Sequence, residues 1–282
     1  MRVLAFFTLP TLLLAQPVQV KPFRVSPAVT LSHDLGICNL KIEYARPAVK
    51  GRPIWGALVP FGQVWRTGAN AATVISFSDP VRIAGKEIPA GSYGLFAIPG
   101  PEAWTLILNK QAKQWGAYFY KESEDVLRWS AKPRAIPHQE WLEYAVAPDG
   151  EQGWQVELRW EKLAVPFAVG ADVRGTYWKH LEDTLTRAKD EDPAPWLQAA
   201  VYCQQNDLHL DRAMAWVDKS LKAGESFWSQ ECKARLLHKA GKTREALPHL
   251  ERAAVLAKGK APKEYLENLE KDLAAWKAGL KP

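Results

Sequence analysis

Between about Val25 and Val169 apolar residues alternate with polar ones at a period of two, the mark of half-buried strands. In CNLKIEY, Cys38, Leu40, Ile42 and Tyr44 share one face, while Asn39, Lys41 and Glu43 share the other. TVISFS, YGLFAIP, WTLILNK, DVLRWS, WLEYAV, WQVELRWE and AVPFAV continue the series, and VRIAGKEI reads as a hairpin turning at Ala84-Gly85. Short strands at close spacing, with turn residues between them and no amphipathic helix, predict an antiparallel β-sandwich over 25–169. After Gly170 the period becomes 3.6. Six helix-length amphipathic segments follow, separated by Asp192-Pro193, Asn206-Asp207, Gly224, Gly241 and Ala261-Pro262, which predicts an all-α domain over 171–282. Ala213, Val217 and Ser220 recur 33 residues later as Ala246, Leu250 and Ala253, a small–large–small pattern similar to the second helix of tetratricopeptide repeats. A plain bundle of helical hairpins accounts for the same pattern.

The first residues, MRVLAFFTLPTLLLAQ, carry one positive charge and then an apolar run ending in small residues. That pattern predicts a signal peptide over 1–15 with cleavage after Ala15, and so an exported protein, periplasmic or extracellular. The run is shorter than the roughly 20 apolar residues a spanning helix needs, and no later segment reads as a membrane span. The net charge of +6 is spread among interleaved acids and bases. Without a basic stripe carrying aromatics, nucleic acid is not an expected partner. Of three cysteines, Cys38 falls on the apolar face of a strand, whereas Cys203 and Cys232 lie in the helical half, where an oxidising compartment permits a bond. Trp is over-represented at 13 residues. Each one buried between sheets removes on the order of 200 Å² from water.

Known catalytic patterns are missing. AGSYG at 90–94 has Ala90 where a nucleophile elbow needs glycine, and it joins strand to strand. Ser32, His33 and Asp34 are consecutive on a strand and so point to opposite faces. No metal-ligand spacing, phosphate loop or dinucleotide fingerprint is present, so no metal and no cofactor is expected.

Chemistry is best sought in residues 45–73, where Pro47, Pro53 and Pro60 with Gly51, Gly56, Gly62 and Gly68 forbid a long regular element. Arg46, Lys50, Arg52 and Arg66 make this connection basic. In VWRTGANAAT, Arg66 and Asn70 beside Trp65 have the composition of a polar end to an apolar pocket. The competing reading pairs Arg66 with Glu43 or Glu157 and has Asn70 cap a turn. QWGAYFY adds Trp115, Tyr118 and Tyr120, which suit stacking on a sugar or planar ligand and suit core packing equally well.

RPAVKGRPIWGALVPFGQVWRTGANAAT, AGKEIPAGSYGLFAIPGPEAWTLILNK, QWGAY and DVLRW resemble, in order and wording, the exported bacterial family termed domain of unknown function 2911. The resemblance covers about 25–169 and implies an exported β-domain followed by helical repeats, with no activity assigned. A Glu often follows Gly-Ala-Asn in that family; here Ala71 stands in its place. The expected function is thus non-catalytic binding or scaffolding. Arg66, Asn70, Trp65, Trp115 and Tyr118 are the candidate ligand residues for a small molecule or glycan, and the helical domain would meet a protein partner. The alternative is a periplasmic hydrolase with a site around His33, Arg66 and His138.

Overall fold

The computed structural model describes residues 23–280 of the chain, so the expected leader at 1–15 lies outside the described residues. The chain divides between Ala171 and Asp172 into two compact units.

The first unit is two antiparallel sheets. One has six strands in the order β1 (Ala28–Leu35), β2 (Cys38–Ala45), β3 (Thr73–Phe77), β6 (Gly91–Ile98), β7 (Trp104–Asn109) and β8 (Asp125–Ala131). The other runs β5 (Lys86–Ile88), β4 (Val81–Ile83), β10 (Gly153–Ala171) and β9 (Arg134–Pro148). The period-two reading fixes the faces: Cys38, Leu40, Ile42 and Tyr44 are buried, and their polar neighbours are not. The β4–β5 hairpin turns on Ala84 and Gly85, with φ of 48° and 79°, a left-handed pair whose twist matches the flanking strands. Strand β10 is 19 residues long and slips register against β9 on either side of Glu161, whose φ is 55°. Those irregularities let one strand pair with β9 over most of its length and with β4 at Gly170 and Ala171.

The second unit is six helices: α1 (Val173–Leu185), α2 (Pro193–Asn206), α3 (Leu210–Ala223), α4 (Phe227–Lys239), α5 (Thr243–Ala257) and α6 (Lys263–Gly279). The breakers act as caps. Asp192 accepts from the Ala194 amide with Pro193 opening α2, and Asp207 closes α2 in the left-handed region. The two triads spaced by 33 residues are equivalent core positions, since Ala213, Val217, Ser220, Ala246, Leu250 and Ala253 are all fully buried. Cys203 and Cys232 stay free thiols in the apolar core of this unit, and Cys38 is buried in the sandwich. No described helix is long and apolar enough to cross a membrane.

Candidate functional site

The connection from Arg46 to Ala72 is tied down at each basic residue except one. Arg46 donates to the Leu142 carbonyl at 2.8 Å and meets Glu143 at 3.3 Å. The Lys50 amide donates to Glu140 at 2.9 Å, and Arg52 donates to the Val49 and Ala48 carbonyls. Arg66 has no carboxylate partner among the described residues. Its two expected partners are taken: Glu43 by Lys41 at 2.9 Å, and Glu157 by Arg134 and Arg159, each at 2.7 Å. The ion pair expected for Arg66 is therefore absent, because on both strands a nearer cation neutralises the carboxylate. Arg66 Nε is buried without an acceptor, and burial holds the guanidinium below its ordinary pKa against the opposing pull of Tyr118.

The peptides around Arg66 are fixed by both sheets. Trp65 exchanges backbone hydrogen bonds with Ala97 of β6, at 2.7 and 2.9 Å. Thr67 is buried with φ of 50°; its hydroxyl donates to the Leu95 carbonyl, and its own carbonyl accepts from Thr73 and Tyr144 hydroxyls. Asn70 is left-handed at φ 61° and donates through Nδ2 to the Ser26 carbonyl at 3.3 Å rather than capping its own turn. A Cβ on Gly68 would stand 2.9 Å from the Thr73 hydroxyl and 3.2 Å from the Ala45 carbonyl, so this glycine admits a close backbone approach.

Trp65 does not join Arg66 at a surface. Its ring lies in a four-tryptophan cluster with Trp55, Trp104 of β7 and Trp160 of β10, with centroid separations from 4.8 to 6.2 Å. Trp104 and Trp160 come from opposite sheets and are fully buried, so the cluster joins the two layers. The indole N–H groups of Trp55, Trp104 and Trp160 have no acceptor. Such orphan donors cost about 1–3 kcal/mol each, which the large apolar area of each ring offsets.

Residues 110–121, between β7 and β8, cross the 64–73 connection. Ala71 bridges Trp115, the Gly116 amide donates to the Asn70 carbonyl, and the Ala72 amide donates to the Gln114 carbonyl. Buried Asn109 anchors both ends of this loop, donating to the Lys121 carbonyl and Asp125 while accepting from the Gln111 amide. Tyr120 turns inward onto Phe96 and donates to Asp125 at 2.6 Å. Burial and that carboxylate raise its phenol to about 12, opposed by Arg128. With Tyr120 inward, the neighbouring aromatics face out: Trp115 is 48% exposed, Tyr118 80% and Phe119 67%. They line a cavity of about 530 Å³ together with Gln111, Lys113, Gln114, Lys121 and part of Tyr120.

Trp115, Tyr118, Arg66 and Asn70 thus lie on two touching loops. Arg66 Nη1 is 3.8 Å from the place of a Cβ on Gly116, and the Tyr118 ring is 2.9 Å from the same point. Lys113, Lys121 and the two glutamines carry no signal in the sequence, because nothing in a polar loop says which residues share a wall.

His33 and His138 lie on separate edge strands, β1 and β9. His33 opposes Leu40, about 16 Å along β1 from the Ala28 end where the chain passes towards β9. His138 pairs locally with Glu140 at 3.2 Å. No hydrogen bond or ion pair joins His33, His138 and Arg66, and no metal-binding group of three acids, histidines or cysteines occurs among the described residues.

The architecture agrees with a match between residues 26–169, just over half of the chain, and the family model described as Protein of unknown function (DUF2911). The chain belongs to the DUF2911 family. Comparison with curated proteins and with solved structures returned no match. The DUF2911 match takes in the sandwich, the four-tryptophan cluster and both touching loops; the six helices lie beyond it.

Proposed function

We propose that this DUF2911 protein is an exported, non-catalytic binding protein whose sandwich takes a small molecule or glycan on the 110–121 loop. The observation that carries this reading is the outward set Trp115, Tyr118 and Phe119. Three large aromatics stand in water on a loop that Asn109, Tyr120 and Asp125 hold rigid. Keeping such rings out of the core forgoes roughly 1.5–3 kcal/mol of burial apiece, and a rigid shelf of aromatics binds with little loss of conformational entropy. The placement of His33 and His138 on edge strands of different sheets favours binding over the hydrolase alternative. In the second unit the repeated buried triads support a tetratricopeptide-like pair of hairpins, α2–α3 and α4–α5, offering a surface to a protein partner.

The test is a thermal-shift screen of neutral and charged saccharides and small aromatics against the wild type and Trp115→Ala. At least one compound should raise the melting temperature of the wild type and leave the variant unmoved. A screen in which every active compound shifts both proteins equally would refute the groove as the site.

A further inference from the structure

We infer that the groove takes an acidic saccharide, a uronate-type unit whose ring rests on Trp115 and Tyr118 while Lys113 and Lys121 hold its carboxylate. The inference deepens the groove reading and depends on it. The wall is cationic and carries no carboxylate: beside the tyrosine hydroxyls its polar residues are Gln111, Lys113, Gln114 and Lys121. Lys113 has no ion-pair partner among the described residues, and Lys121 meets Glu124 only at 3.9 Å. The guanidinium of Arg24 stands 5.1 Å from the Trp115 ring centre, and unpaired Arg66 lies behind Gly116 next to Tyr118. Four cations thus surround the exposed rings, and the acids on the flank are engaged: Glu122 by Arg128, Glu124 by Lys121, and Asp125 by Tyr120, Asn109 and Arg128.

Two features select a hydroxylated ligand over a flat anion. Trp115, Tyr118 and Phe119 form no ring pair with one another among the described residues, so they make a spread shelf for sugar faces rather than a slot for a single planar base. Gln114 Oε1 is a covered acceptor without a donor, while its Nε2 donates to the Gln111 carbonyl at 3.2 Å. Its terminal torsion is soft. Rotation of that amide offers the oxygen to a sugar hydroxyl and ends its isolation.

The experiment is calorimetric titration of the full chain, at low and at physiological salt, with hexamers of galacturonate, glucuronate and mannuronate and the carboxyl-reduced hexamer of each. An exposed lysine–carboxylate contact is worth up to about fivefold in affinity, and two together up to about 25-fold. At least one uronate should therefore bind about tenfold or more tighter than its neutral counterpart, with the gap narrowing as salt rises. Lys113→Gln with Lys121→Gln should shrink that gap at least threefold, the remainder falling to Arg24 and Arg66, whereas Trp115→Ala should weaken both acid and neutral binding. Equal binding of acid and neutral hexamers in all three pairs overturns the inference and leaves the groove reading standing. Binding of none of the six also overturns it; the groove reading then stands or falls on the separate thermal-shift screen.

Discussion

Arg66 offers a sharp test of whether this chain gives up stability for its site. Replacing it with methionine keeps most of the stem volume and removes a desolvated cation with an orphan Nε–H. A buried donor without an acceptor costs about 1–3 kcal/mol, and the lost packing of the outer guanidinium returns part of that. Arg66→Met should therefore stabilise the sandwich by about 1 kcal/mol, a rise of roughly 3 °C in a unit of this size. Arg66→Ala loses the stem as well and should fall at least 1 kcal/mol below Arg66→Met, at about 0.8 kcal/mol per buried methylene. Urea midpoints followed by near-ultraviolet circular dichroism read the difference directly, because Trp55 and Trp65, part of the four-ring cluster, lie in the same connection as Arg66. A constant m-value would confirm that stability alone has changed. If Arg66→Met instead destabilises by more than 1 kcal/mol, Arg66 has a partner in the folded protein and the account of it as an unpaired cation is wrong. With the cation gone, uronate binding should weaken even as the fold gains stability, the trade expected at a functional position.

Two further outcomes follow from the interior. Gly68→Ala drives a Cβ against the Thr73 hydroxyl and the Ala45 carbonyl, so it should cost about 2 kcal/mol in thermal unfolding; a change below 0.5 kcal/mol would show the crossing to be slack. Burial lifts the Cys232 thiol to about 12 from its ordinary 9, so the folded state favours the protonated form. Its contribution is complete below pH 9 and is lost as pH rises from 9 towards 12, where the unfolded chain ionises first. Accordingly, all three buried thiols should resist a thiol reagent at pH 8 until denaturant is added, and rapid labelling of Cys232 in the folded protein would contradict the burial.

The period of the apolar pattern determined the architecture, because a strand's alternation and a helix's 3.6-residue stripe are local consequences of backbone geometry. CNLKIEY could bury its apolar face in only one way, and it did. The breakers at Asp192-Pro193 and Asp207 needed only their own side chains and dihedrals to end helices. Arg66 and Asn70 were legible for a similar reason, since glycine and proline keep 45–73 out of regular structure, while Trp115 and Tyr118 stood out by the clustering of aromatics round Gly116. Pairing across the fold was another matter. Nothing in the sequence showed that Lys41 would claim Glu43, or that Arg134 and Arg159 would claim Glu157, leaving Arg66 alone. Likewise, Trp65 and Trp115 look alike on paper, yet one packs between the sheets and the other faces water. Which partner a side chain meets depends on register and on loops crossing some 40 residues apart in sequence, and those distances exist only once both sheets have formed.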